Sequence, residues 1–251
     1  MSVKKKIRAD ILLYEQGLAE SREKAKRLIM AGQVFMEKDG RQVLVAKPGQ
    51  SVDPGVRLRL KEQDRFVSRG GYKLLTAIEH FKVEVDGKIC LDVGASTGGF
   101  TDCLLQMGAQ KVYALDVGHG QLHWKLRQDP RVINLEKINI RYAPADLLPE
   151  PVHLIVLDCS FISLRLTLPA SLKFLAPGGE VIALVKPQFE VGRGQTVKGV
   201  VKSQEKINEV LNGLVHFAQN ELGLEFLGSV PAMIKGPKGN QEYLVYFKAK
   251  V

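Results

Sequence analysis

The sequence predicts an α/β protein: a doubly wound, mostly parallel seven-stranded sheet preceded by a small α+β module. Three observations lead there. Seven short apolar runs, KICLDVG, KVYALDVG, VINLEK, VHLIVLDCS, GEVIALVK, LEFLGSV and EYLVYFKA, follow one another from Lys88 onward, most of them separated by helix-length segments. Near-continuous apolar runs suit strands buried on both faces of a parallel sheet. A glycine-rich loop follows the first run and an acid, Asp116, closes the second, the arrangement by which such sheets hold nucleoside-bearing ligands at their carboxyl ends. The connection between the last two runs is short, so the final strand is expected to run antiparallel.

Composition bounds the rest. At 251 residues the chain has room for one full α/β domain and a small module. Hydrophobic residues make up 45% and charged residues 25%, ordinary for a globular protein. No run approaches the roughly 18 apolar residues of a membrane span, and the charged start, MSVKKKIRADILLYE, lacks the apolar centre of a signal peptide. Cys90, Cys103 and Cys159 are odd in number and set among apolar neighbours, which reads as reduced core thiols in a cytoplasmic protein. No metal site is expected. The net charge is +9, and residues 1–66 hold 15 Lys/Arg against 9 Asp/Glu, so two thirds of the excess sits in the first quarter. A polyanionic partner fits that asymmetry.

The module spans residues 1–64. RADILLYEQGLAESREKAKRLIMAGQVFM reads as two helices and a turn: Ile11, Leu12, Leu13 and Leu18 form the apolar side of the first, Gly17 stops it, Ser21 caps the second, and Gly32 ends it. Ala25, Leu28 and Ile29 face inward, leaving Arg22, Lys24, Lys26 and Arg27 toward solvent. An Asp39–Gly40 hairpin turn and a closing strand at Arg57–Leu60 complete it. With Arg8-Ala9-Asp10 in front, this order resembles the alpha-L RNA-binding domain named after the fourth small-subunit ribosomal protein. The resemblance implies a grip on structured RNA through shape and phosphates, with Arg8, Arg22, Lys24, Lys26 and Arg27 as the contacts.

Residues 65–71 read as a hinge linker, because SRGGYKL sets two glycines before Lys73; residues 72–251 read as the catalytic domain. In the loop Gly94-Ala95-Ser96-Thr97-Gly98-Gly99-Phe100, Ser96 stands where the dinucleotide pattern G-x-G-x-x-G needs glycine, and the lysine of a triphosphate-binding loop is missing. The loop, with Asp92 before it, resembles the first motif of class I methyltransferases that use S-adenosylmethionine. Asp116 then faces the ribose, and Glu136, closing the third run, is expected to reach the adenine edge. The fourth run ends Asp158-Cys159-Ser160-Phe161, without the prolines of the exocyclic-amine methyltransferases. Cys159 reads better as a packed thiol than as the nucleophile of carbon-5 chemistry. Lys186 closes the fifth run before Pro187, and Glu242 opens the last. GRGQTVKGVVK, residues 192–202, is basic and glycine-bearing and reads as a loop over the RNA path.

Lys73, Asp158, Lys186 and Glu242, in that order, resemble the tetrad of FtsJ-like ribose 2'-O-methyltransferases. From about residue 6 to 248 the chain resembles the TlyA (haemolysin A) family, through SRGGYKL, LDVGASTGGFTD, LDCSFISL, LVKPQFE and GNQEYLVYF. That resemblance implies S-adenosylmethionine as cofactor, ribosomal RNA or ribosomal subunits as partner, and 2'-O-methylation of cytidine, with no membrane and no obligate protein partner. Lys186 is expected to accept the hydroxyl proton and Lys73 to place the hydroxyl. A noncatalytic RNA-binding or ribosome-assembly factor is the alternative, direct haemolysin activity a distant third.

Overall fold

The structure, a computed structural model, describes residues 6–38, 40–61, 64–192 and 194–250. The chain divides into two compact units, Met1–Asp64 and Arg65–Val251. Among the described residues no helix is long and apolar enough to cross a membrane.

In the first unit, α1 (Ala9–Glu15) and α2 (Arg22–Met30) pack beside a three-stranded antiparallel sheet, β2 (Val34–Lys38) lying between β3 (Arg41–Leu44) and β5 (Leu58–Leu60). A short ladder joins β1 (Ile7–Arg8) to β4 (Ser51–Val52). Leu12, Leu13, Ala25, Ile29, Val34 and Leu58 close the core. Gly17 follows α1 with a φ of 70°, a conformation a side chain disfavours, and the Ser21 hydroxyl accepts the Lys24 N–H at 3.2 Å, starting α2. Of the hairpin turn, Asp39 lies outside the described residues; Gly40 has a φ of 71° and Lys38 pairs with Arg41 across it.

The second unit is the α/β sheet. Its strands are β6 (Ile89–Val93), β7 (Lys111–Asp116), β8 (Val132–Glu136), β9 (Val152–Leu157), β10 (Leu175–Val185), β11 (Leu224–Pro231) and β12 (Tyr243–Ala249). They are ordered β11-β12-β10-β9-β6-β7-β8. All seven coincide with the apolar runs. β6 to β10 are parallel; β12 runs antiparallel between β10 and β11, as its short connection implies. Side chains alternate between faces. Cys90, Val112, Leu154, Ile182 and Leu244 meet α3 (Gly70–Phe81) and α4 (Gly99–Gln106). Leu91, Tyr113, Ile155, Val181 and Phe247 meet α6 (Leu164–Leu172) and α8 (Gln204–Asn220). Short α5 (Trp124–Arg127) and α7 (Pro187–Glu190) follow β7 and β10.

Register sets the working edge. Val93 lies beside Leu157 and Val185 beside Tyr243. Gly94 is therefore brought against Asp158, and Lys186 and Glu242 leave the sheet side by side.

The 65–71 stretch is not built as a hinge. The Val67 N–H donates to Asp102 Oδ2 at 2.8 Å, and the Gln106 side chain donates to the Arg65 carbonyl at 2.8 Å, tying it to α4. Gly70 and Gly71 form the first turn of α3. A side chain at Gly71 would run into the Phe66 ring, and one at Gly99 into Ser68. The glycines serve close approach of two helix starts.

Candidate active site

The glycine loop joins β6 to α4. Gly94 has a φ of 86°, and a Cβ there would lie 2.8 Å from the Asp158 carbonyl; Gly98 has a φ of 94°, and a side chain there would strike Leu126. Ser96 is left-handed as well, at 49°. The loop is held in that form by Asp116, whose carboxylate accepts the N–H of Ser96 at 2.8 Å and that of Gly118 at 2.7 Å. A carboxylate offers about four acceptor positions, so lone pairs remain on it for further donors.

Two cavities open at this edge. One, of about 470 Å³, is walled by Gly94, Ser96, Asp116, Val117, Ile140 and Phe161 among others. Val117 and Phe161 are 67% and 89% exposed, and Phe161 has a φ of 63°. Uncovered apolar side chains beside a carboxylate and a loop without side-chain bulk fit a molecule with an apolar ring at one end and sugar hydroxyls next to it. The structure therefore fits the S-adenosylmethionine predicted from the loop. The second cavity, of about 380 Å³, is lined by Lys73, Ala95, Gly99, Phe100, Asp158 and Lys186, with Ser68 and Arg69 at its side. Gly94, Ser96, Asp158 and Ser160 border both cavities.

The second cavity holds the chemistry. Lys73 Nζ is 2.6 Å from Glu242 Oε2, and Lys186 Nζ is 2.6 Å from Asp158 Oδ1. Lys73 and Lys186 are 9% and 8% exposed, and Glu242 is fully buried. Lys186 also donates to Ser160 Oγ at 2.7 Å. The Gln188 amide is 3.5 Å from Glu242 Oε1, and a side chain at Gly236 would collide with that carboxylate. The four predicted residues thus meet as two lysine–carboxylate pairs. Ser160 and Gly236 were not singled out from sequence; the signal available was Ser160's place two residues after Asp158.

Two predicted cofactor residues lie elsewhere. Glu136 borders neither cavity: it is held by the Gly120 N–H, His119 at 2.9 Å and Arg127, which keep its carboxyl down at about 2. Asp92 is fully buried beneath the loop, accepting from Thr101 Oγ1 at 2.7 Å while Oδ1 has no hydrogen-bond partner. Burial raises its carboxyl to about 7. Burial also lifts the Cys159 thiol to about 12, which leaves no thiolate for nucleophilic attack at neutral pH.

In the first unit, Arg8, Arg22, Lys24 and Arg27 are exposed and Lys26 is half-buried, 2.6 Å from Glu23. Arg8 grips the buried Asp10 through two hydrogen bonds of 2.9 and 3.0 Å, and Arg22 lies 3.7 Å from the same carboxylate. These bonds hold the Asp10 carboxyl below its ordinary range.

Residues 66–249 match the FtsJ-like methyltransferase family, and residues 7–36 match the S4 domain. YqxC of Bacillus subtilis (strain 168) is 48% identical over 245 residues, 96% of this chain and 85% of that protein. The Mycobacterium tuberculosis (strain ATCC 25618 / H37Rv) protein named 16S/23S rRNA (cytidine-2'-O)-methyltransferase TlyA is 41% identical over 248 residues, 98% of this chain and 91% of its own. A solved structure from Streptococcus thermophilus, 46% identical, gives a TM-score of 0.73 and covers 99% of this chain and 90% of that one. With its glycine loop, its two lysine–carboxylate pairs and these relatives along almost its whole length, the chain belongs to the TlyA branch of the FtsJ-like methyltransferase family.

Proposed function

We propose that this protein transfers a methyl group from S-adenosylmethionine to the ribose 2'-hydroxyl of a cytidine in ribosomal RNA. The observation that carries the reading is the pair of buried lysines, each on its own carboxylate, in a cavity that adjoins the glycine loop. The family match supports the reaction, and the name of the mycobacterial relative supports the acceptor nucleotide.

When bound, S-adenosylmethionine supplies a methyl carried on a cationic sulfur. Gly94 to Phe100 and Asp116 would hold it, and Val117 and Ile140 would offer an apolar wall to it. A ribose hydroxyl is a poor nucleophile until its proton leaves, and in this reading Lys186 takes it. Ser160 Oγ accepts from Lys186 Nζ at 2.7 Å and the Asp158 carboxylate lies 2.6 Å from the same nitrogen, so the amine is held in one place in the cavity. Lys73, held by Glu242 at 2.6 Å, steadies the oxygen and the neighbouring phosphate. Alignment of the acceptor within the cavity supplies much of the remaining acceleration. The exposed cations of the first unit hold the RNA through its phosphates.

Tritiated S-adenosylmethionine with purified ribosomal subunits tests this, comparing wild type with Lys186→Ala and Lys73→Ala. The expected result is label that protects one ribose linkage from alkaline cleavage. Lys186→Ala should lose about 10²–10⁴-fold in kcat, the usual range for a general base, with cofactor binding intact. Label on a base, or label undiminished by the Lys186 change, overturns the assignment; tight cofactor binding without label on either subunit makes a binding factor the better reading.

A further inference from the structure

Residues 231–240, leading into Glu242, border the catalytic cavity through Ile234, Lys235 and Gly236, and a second turn, residues 194–202, is joined to them. Neither contains an Asp or Glu. They are fastened to each other by Asn240, 3% exposed, whose amide donates to the Gly199 carbonyl at 2.9 Å and whose oxygen accepts the Val201 N–H at 3.2 Å. The first turn is closed by reciprocal backbone bonds between Val197 and Val200, 2.9 and 3.0 Å long, with Lys198 and Gly199 at its tip. Lys198 has a φ of 52° and Lys238, on the facing turn, a φ of 60°. The Lys238 ammonium lies 3.3 Å from where a Cβ on Gly199 would sit. Residues with side chains seldom adopt this left-handed conformation, and here two lysines hold it on adjoining turns.

The charges are also unanswered. Lys198, Lys202, Lys235 and Lys238 are exposed, and among the described residues none of them forms an ion pair. Lys235 lines the cavity that holds Lys73 and Lys186, as does the exposed Arg69. No Phe, Tyr or Trp occurs in either turn, so stacking on bases is not what they offer. Ammonium groups alone recognise phosphate without reading sequence.

We propose that Lys198, Lys202, Lys235 and Lys238 form a lip that grips the sugar–phosphate backbone beside the target ribose, an RNA contact of the catalytic unit in addition to that of the first unit. The identity of the RNA rests on the proposed function; the lip itself rests on the two pinned turns. Asn240 stands two residues before Glu242, so strand placement and the carboxylate that holds Lys73 are set by the same segment.

The test is the triple variant Lys198→Ala, Lys202→Ala, Lys238→Ala in the full chain, with the triple Lys→Arg variant and Lys248→Ala as comparisons. Lys248 is exposed near the far end of β12. Methyl transfer to ribosomal subunits would be followed at several RNA concentrations, and filter binding of purified 16S and 23S RNA at several salt concentrations. The triple alanine variant should raise KM for RNA roughly tenfold and flatten the dependence of log binding on log salt by about 2, near 0.7–0.9 for each phosphate no longer neutralised. Saturating RNA should restore turnover, the arginine variant should behave as wild type, and Lys248→Ala should leave KM and slope in place. Unchanged KM and salt slope in the alanine variant overturn the lip. A lower turnover that saturating RNA does not restore also overturns it, since that marks a disturbed Glu242 segment. Absence of label with wild type would overturn the proposed function instead, and the filter-binding arm would still decide the lip.

Discussion

Arg8 and Arg22, in the first unit, keep about half of their side chains in solvent, at 50% and 51%, although both lean on the one buried carboxylate of Asp10. Lys73 and Lys186, in the catalytic unit, keep 11% and 9%, and each has a carboxylate of its own. The contrast separates two uses of charge. A solvated cation meets phosphate through water and counterions, so each contact is weak and many are needed. A buried lysine held against a carboxylate keeps a fixed place and direction, which bond-making requires, and it depends on that partner to stay buried at all.

Breaking a pair should therefore hurt most where solvent is absent. Glu242→Ala leaves the Lys73 ammonium without its carboxylate, and removal of one partner from a buried pair costs about 3–5 kcal/mol. Urea denaturation should show a loss in that range, and Lys73→Met combined with Glu242→Leu should recover most of it; a double variant as unstable as the single would break the comparison. Ser160→Ala is expected to be milder. It removes the hydroxyl that accepts from Lys186 Nζ, and turnover should fall about tenfold, less than the ~10²–10⁴-fold of the general base itself, with cofactor affinity and KM for RNA held. Ser160→Thr keeps the hydroxyl and should restore turnover, which a purely structural role would not predict.

Asp92 sharpens the point, being buried with no cation beside it. Burial raises its carboxyl from an ordinary 3.8 to about 7. The folded state then holds this proton where the unfolded chain has released it. The contribution to stability is complete below about 3.8 and is lost as pH rises toward about 7. Asp92→Asn should be more stable than wild type at pH 8 and gain nothing at pH 4; an equal difference at both values would contradict it. The smallest effect belongs to the first unit. Lys24→Ala should flatten the salt dependence of RNA binding by about 0.7–0.9, the share of a single phosphate, and leave thermal stability within about 0.5 kcal/mol.

Much of this was legible in the sequence, for local reasons. Each of the seven strands carries its own apolar run, Ser21 precedes its helix, and Gly94 and Gly98 announce a backbone that side chains would obstruct. What was not legible depended on partners that only the fold brings together. Gly70 and Gly71 read as a hinge because flexibility is glycine's local meaning; their purpose is set by Phe66 and by Gly99 on another helix. Glu136 closes its strand where an adenine contact was expected, and the structure adds Arg127 and His119 as its partners there. Ser160 looked like any serine after a strand until Lys186 arrived from the neighbouring one.

The place of β12 has a consequence for how the molecule is made. It is the last of the seven strands in chain order but sits inside the sheet, hydrogen-bonded to β10 and β11 on either side. A growing chain that has not yet passed Pro231 holds two unpaired strand edges and a Lys73 with no counter-charge. Lys73 and Glu242 are 169 residues apart, so their pairing closes one of the longest loops in the protein. During synthesis the glycine loop and the Lys186–Asp158 pair precede it, and the methyl acceptor's cavity is finished only when that strand slides into its slot.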